Sequence, residues 1–373
     1  MLTPFDDYPI HQTPEPVAHP ATGDRNFYDR YFFNGHSPDG SLFFALALGL
    51  YPNRRVMDAS FSVVRDGVQR SLHASRLAPT DRTEIGVGPI TVEVVEPLRR
   101  LRLGVAAPEH GLEADLLFHA RSLPLEEPRF TRHDGGRVVM DLTRLTQFGS
   151  WEGWIAVEGR RVAIERAQVL GCRDRSWGVR GVGEREAGAP PGGAPQFFWL
   201  WAPLQFGDVC THFAVNEDGD GRPWHASGSW LQNVAPPTAP AVAPLGEAEP
   251  LARVEHHVRW ARGTRRAASA ELVLTPHGRP PHHVQLEPIL SFQMLGLGYL
   301  HPEWGHGIWK GEQAVAAESW KLADCAPMDP RHLHVQTLCR ARMEGRQGIG
   351  VLEQLVIGPH APSGFKDLLD PAS

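Results

Sequence analysis

The densest run of chemically capable residues is Gly171 to Arg180, GCRDRSWGVR, an acid between two arginines followed by Ser-Trp-Gly. On a strand, side chains alternate, so Cys172, Asp174 and Ser176 share one face and Arg173, Arg175 and Trp177 the other. Gly178 then permits a bend or a close approach. An inward-facing Asp174 needs a partner or a displaced pKa, because an unpaired buried carboxylate is costly. Three roles stay open, direct ligand binding among them. Kept protonated by apolar surroundings, Asp174 could act as a general acid, with Trp177, Trp199, Trp201 and Trp230 close in sequence to supply aromatic faces. Ionised, it would pair with arginines and lock two strands. The flanking Arg173 and Arg175 favour the ionised state, since a nearby cation lowers an aspartate's pKa.

Phe197 to Trp201, FFWLW, is aromatic at every position but one. Half of it must face the interior of its own barrel, and the other half needs cover from a ligand cavity or a domain interface. Nineteen histidines raise the question of metal. His332 and His334 could share a strand face, and His301 and His306 flank a Gly-rich turn, yet no H-E-x-x-H or facial-triad spacing occurs. No metal site is expected. Cys172, Cys210, Cys325 and Cys339 are scattered without a C-x-x-C pair, which suits reduced thiols in the cytoplasm. No G-x-S-x-G elbow precedes a helix, and the glycines around Leu295 to Gly298 lack a βαβ context.

These residues must be positioned by strands. Thirty-eight glycines and 33 prolines cut the chain into runs of about ten residues, leaving little room for long helices. Phe61 to Arg65 and Val68 to Leu72 read as a hairpin around Asp66-Gly67, a pair that supplies the positive φ angles of a tight turn. Trp154 to Val157 and Val162 to Glu165 form a second, around Gly159. In Val254 to Trp260, VEHHVRW, apolar and polar positions alternate, as in an antiparallel strand with one wet face. At 373 residues two domains are the default. The expected division is an N-terminal extension over 1–24, a β domain over 25–182, a Pro/Gly-rich linker over 183–195 and a second β domain over 196–373. Each half holds enough strands to close a barrel or a paired-sheet sandwich.

The net charge of −6 offers no general attraction to nucleic acid or anionic lipid. The longest apolar run, Leu42 to Leu50, is too short to span a bilayer, and the first 20 residues lack the basic and apolar regions of a secretory signal. Neither a nucleic-acid partner nor a transmembrane segment is therefore expected.

The Asp174-x-x-Trp177 element resembles that of the lipocalin-like carotenoid 1,2-hydratase (hydroxyneurosporene synthase) and AttH-like superfamily, and the wider pattern is most similar to its bacterial branch. Tyr31 to Gly67, Met140 to Gly159 and Gln196 to Gly228 carry the likeness, which thins in the last third of the chain. The resemblance implies an all-β fold of two tandem lipocalin-like antiparallel barrels or sandwiches with few short helices. It also implies cofactor-independent hydration, isomerisation or cyclisation of a hydrophobic, terpenoid or polyketide-like molecule. Asp174 would be the catalytic acid, Arg173 and Arg175 its charge-tuning neighbours, and Trp177, Trp199 and Trp201 the aromatic wall. Arg175 and Ser176 depart from the Asp-His-Asn-Trp of the hydratases. A non-catalytic carrier of hydrophobic ligands and a protein-interaction module are the alternative readings.

Overall fold

Turn chemistry sets the strand pattern. Asp66 and Gly67 both adopt positive φ, 52° and 72°, and fold Val56–Arg65 back onto Val68–Leu77 with Arg65 opposite Val68. Glu158 and Gly159 do the same between Arg137–Val157 and Arg160–Ile164. The computed structural model describes residues 2–183 and 195–373, so most of the expected linker lies outside the described residues. Among the described residues the chain is almost entirely β. Its helical segments are 3-10 turns of three or four residues, and no helix is long and apolar enough to cross a membrane.

Among the described residues the strands form two antiparallel sheets in a lipocalin-like arrangement. The first has 14 strands. At its centre Leu42–Tyr51, Phe27–His36, Leu170–Arg180 and Arg137–Val157 lie side by side. The second has nine, with Val209–Glu217, Phe197–Phe206, Arg346–Ile357 and Val335–Met343 at its centre. Late in the chain, Gln313–Lys321 crosses to the first sheet and pairs with the edge strand Val68–Leu77. One core packs on one face of the first sheet around Phe33, Phe44, Phe118 and Trp151. Another fills the second sheet around Phe198, Leu200, Phe213 and Leu352. A third lies between the sheets and draws Phe32, Phe43 and Cys172 from one and Trp201, Phe292 and Val351 from the other.

Strand alternation explains how FFWLW is covered on both sides. Phe198 and Leu200 point into the second sheet's own core, whereas Trp199 and Trp201 point into the layer between the sheets. The central strand Leu170–Arg180 is held by close backbone contact. Gly178 has φ +135°, and a Cβ there would sit 2.3 Å from the Asp141 carbonyl oxygen of the neighbouring strand. Gly178→Ala is therefore expected to cost about 1–3 kcal/mol through forced strand separation. A lower urea midpoint would show this, and an unchanged midpoint would contradict it.

Candidate functional site

Between the sheets lies a cavity of about 280 Å³. One wall is built by three adjacent strands of the first sheet, whose register places Arg30 opposite Ser176 and Ser176 opposite Arg144. With the period of two, Tyr28, Arg30 and Phe32, then Asp174 and Ser176, then Leu142 and Arg144 all face the space. The second sheet supplies the opposite wall through Phe197, Trp199, Trp201, Asn216 and Glu353, and Tyr299 and His334 close one side.

Asp174 lines this cavity and takes part in no hydrogen bond or ion pair among the described residues. Burial pushes its carboxyl up from 3.8 to about 6. The charges of Arg144 and Arg30 oppose the rise without cancelling it, and Glu127 and Glu353 add to it. The folded protein therefore binds this proton more tightly than the unfolded chain does between pH 3.8 and about 6. Above that window the ionised carboxyl costs stability, and the cost disappears as pH falls back through the window. Asp174→Asn removes the cost, so the variant should melt above wild type at pH 8, by about 1–3 kcal/mol of stability, with the gap closing toward pH 4. Calorimetry across pH checks this. A constant gap, or one that widens in acid, would contradict it.

Of the residues singled out in the sequence, the structure brings Asp174, Trp199 and Trp201 together at the cavity. Arg173, Arg175 and Trp177 are not among the lining residues, because the same alternation that turns Asp174 inward turns its immediate neighbours away. Arg173 donates to Gln147 Oε1 at 2.8 Å and lies over the Phe118 ring. Arg175 pairs with Asp29, with its guanidinium 4.0 Å from the Tyr31 ring centre. Neither forms the strand-locking pair with Asp174. Trp177 is 39% exposed. Trp230 stacks on His282 within the second sheet.

The groups that tune the cavity come instead from strands remote in sequence. Arg144 donates through Nε to Glu127 Oε1 at 2.8 Å and through Nη2 to Oε2. The Thr146 hydroxyl adds a third bond to Glu127 at 2.7 Å. Burial pushes the Glu127 carboxyl up, but Arg144 and the nearby His212 outweigh it and hold the group well below the usual range. The Arg144 guanidinium lies over Phe130 and Trp199, 4.8 and 4.9 Å from their ring centres, so the ion pair underpins the aromatic wall. Glu353 accepts from His334 Nε2 at 2.8 Å, Gln336 Nε2 at 2.7 Å and Trp199 Nε1 at 3.0 Å. Burial raises its pKa, but these donors, His334 foremost, bring it below the usual value. The cavity thus holds one acid that keeps its proton up to about pH 6 and one carboxylate held below the usual range, a separation of the kind that divides a working acid from a fixed charge.

A charged residue inside an apolar strand was the sequence signal for these groups: Arg30 in YDRYFF, Arg144 in LTRLTQF and Glu353 in VLEQLV. The expected His332–His334 strand pair does not form. His332 ends the 3-10 turn Pro330–His332, the strand begins at Val335, and His334 is engaged by Glu353. Among the described residues, one group of possible metal-binding atoms lies within 4.8 Å, that of His73, His301 and Glu318. His301 Nδ1 accepts the backbone N–H groups of Glu303 and Trp304 at 3.0 and 2.8 Å, which leaves the proton of a neutral ring on Nε2. That Nε2 lies 3.0 Å from Glu318 Oε1 and donates to it, so the cluster is satisfied as a hydrogen-bond network.

A family model described as "Family of unknown function (DUF8625)" matches residues 2–366. The chain belongs to that family. No curated protein matches it. Among solved structures it is similar to a protein described as AttH from Nitrosomonas europaea, at 13% identity and a TM-score of 0.52, over 93% of this chain and 97% of that one. Kievitone hydratase from Nectria haematococca is similar at 12% identity and a TM-score of 0.52, over 88% of each chain. At these identities the likeness is one of fold.

Proposed function

We propose that this DUF8625 protein binds a hydrophobic, terpenoid or polyketide-like molecule in the cavity between its sheets and transforms it by acid catalysis from Asp174, without a cofactor. Membership of the carotenoid hydratase and AttH-like superfamily is part of the same reading, as is a cytoplasmic location, which four unpaired cysteines support. The observation that carries the proposal is a carboxyl with no partner among the described residues, held up to about 6 by burial, in a cavity that Trp199 and Trp201 also line.

In a hydration, the Asp174 proton passes to an alkene carbon and the alkene π electrons form the new C–H bond. A water oxygen then attacks the cationic carbon, and its released proton returns to the Asp174 carboxylate. Isomerisation or cyclisation ends differently, with loss of a proton from carbon to the same carboxylate. In each case the indole faces and the Glu353 carboxylate stabilise the cation. Kievitone hydratase, which shares the fold, is by name a hydratase, and this agrees with the first of these outcomes. A carrier would need an apolar pocket and no poised acid, so the unpartnered Asp174 favours catalysis over carriage. The test is mass spectrometry of the small molecules that co-purify with the chain, followed by incubation of each with fresh protein. Conversion that is lost in Asp174→Asn supports the proposal. Tight binding with no conversion by wild type would instead identify a carrier.

A further inference from the structure

Arg30 is 2% exposed and Arg180 half-buried, and both line the cavity. In each, Nε and Nη2 are buried and have no hydrogen-bond partner. Those two atoms form the side-on fork with which a guanidinium grips two oxygens at once, as Arg102 grips Asp115 and Arg129 grips Asp141 elsewhere in this chain. Here the forks have no carboxylate. The remaining contacts of these arginines are to phenols. Arg30 Nη1 donates to the Tyr299 hydroxyl at 2.7 Å, and the Arg180 guanidinium sits 4.6 Å from the Tyr28 ring centre. Asp58, which feels the charge of both, and Asp174, which feels that of Arg30, close no ion pair with either. Asp58 is already engaged by the Gly307 N–H at 2.6 Å and the Tyr51 hydroxyl. Glu127 and Glu353 are likewise occupied, by Arg144 and by His334, Gln336 and Trp199.

A buried guanidinium with an idle fork is expensive unless something supplies acceptor oxygens. We infer that the molecule bound in this cavity is a hydrophobic compound bearing an acidic oxygen group, a carboxylate or an ionised enol, and that the forks of Arg30 and Arg180 receive it. The inference rests on the cavity being the ligand site and narrows its substrate class from hydrophobic molecules in general to those bearing an acidic oxygen group. The anion also serves the chemistry. Cations at Arg30, Arg144 and Arg180 oppose a positive charge forming on a bare polyene, whereas a bound oxyanion offsets them.

The test compares matched ligands by titration calorimetry at pH 7.5 on the full chain, and needs no knowledge of the natural substrate. Geranic acid is set against methyl geranate, and 5-pentylcyclohexane-1,3-dione against its enol methyl ether. Wild type should bind at least one acid tenfold or more tightly than its methyl derivative, and the pair with the larger gap tells carboxylate from enol. Arg30→Gln and Arg180→Gln should each shrink that gap below about threefold while leaving the affinity for the methyl derivative unchanged. The wild-type comparison stands even if a variant fails to fold. Equal binding of acid and derivative by wild type would overturn the inference and leave the cavity reading intact. Absence of binding by all four compounds, with no quenching of tryptophan fluorescence, would overturn both.

Discussion

Replacing Asp174 by Asn lowers turnover of the cavity's substrate by about 10²–10⁴-fold, the usual worth of a positioned general acid. The amide has nearly the same shape and cannot give up a proton of comparable acidity. Because Asp174 makes no bond that holds the fold together, the loss should appear in kcat with little change in the affinity for substrate. The pH profile carries the same signature. The acid must be protonated, so the rate should be flat below about pH 6 and fall roughly tenfold per unit above it. A hydrophobic ligand that displaces water deepens the desolvation and moves that break upward, never downward. Steady-state rates of wild type and Asp174→Asn from pH 5 to 9 test both points. A variant with wild-type turnover, or a wild-type rate that rises with pH across this range, would contradict the acid role.

The second large effect concerns stability. Glu127 and Arg144 form a buried pair, and removing one partner leaves the other charged and unsatisfied. Glu127→Gln should therefore cost about 3–5 kcal/mol, and Arg144→Gln a similar amount. Arg144→Met combined with Glu127→Leu should recover much of the loss, because neither charge is then stranded, although the stacking on Phe130 and Trp199 goes with the guanidinium. Urea denaturation of the four proteins checks this. Single variants within about 1 kcal/mol of wild type would mean that the pair is wetter than its geometry implies.

Turns and alternation made the architecture legible in the sequence. Asp66-Gly67 and Gly159 sit where the hairpins form, and VEHHVRW lies in the strand Arg253–Trp260. Asp174 could be assigned to the face shared with Cys172 and Ser176 because a strand has a fixed period, and the three do line one side. The same rule separates Arg173, Arg175 and Trp177 from it, so nearness along the chain was a poor guide to nearness in space. Which strands lie beside Leu170–Arg180 depends on sheet order. Phe27–His36 is about 140 positions away, and Glu353 arrives from the other sheet. Long-range pairing of this kind leaves no local pattern, only isolated charges such as Arg30 and Arg144 in otherwise apolar strands. The crossing of Gln313–Lys321 onto the first sheet escaped sequence reading for the same reason.

The most direct measurement is the ionisation of one carboxyl in the folded protein. Carbon-13 labelling of aspartate and titration of the Cγ resonance that disappears in Asp174→Asn would report it, and the same subtraction keeps it apart from Asp58, which burial also raises to about 6. A midpoint near pH 6 is the expected result. A midpoint at or below 3.8 would show an ordinary ionised aspartate, and Asp174 could not then be the proton donor.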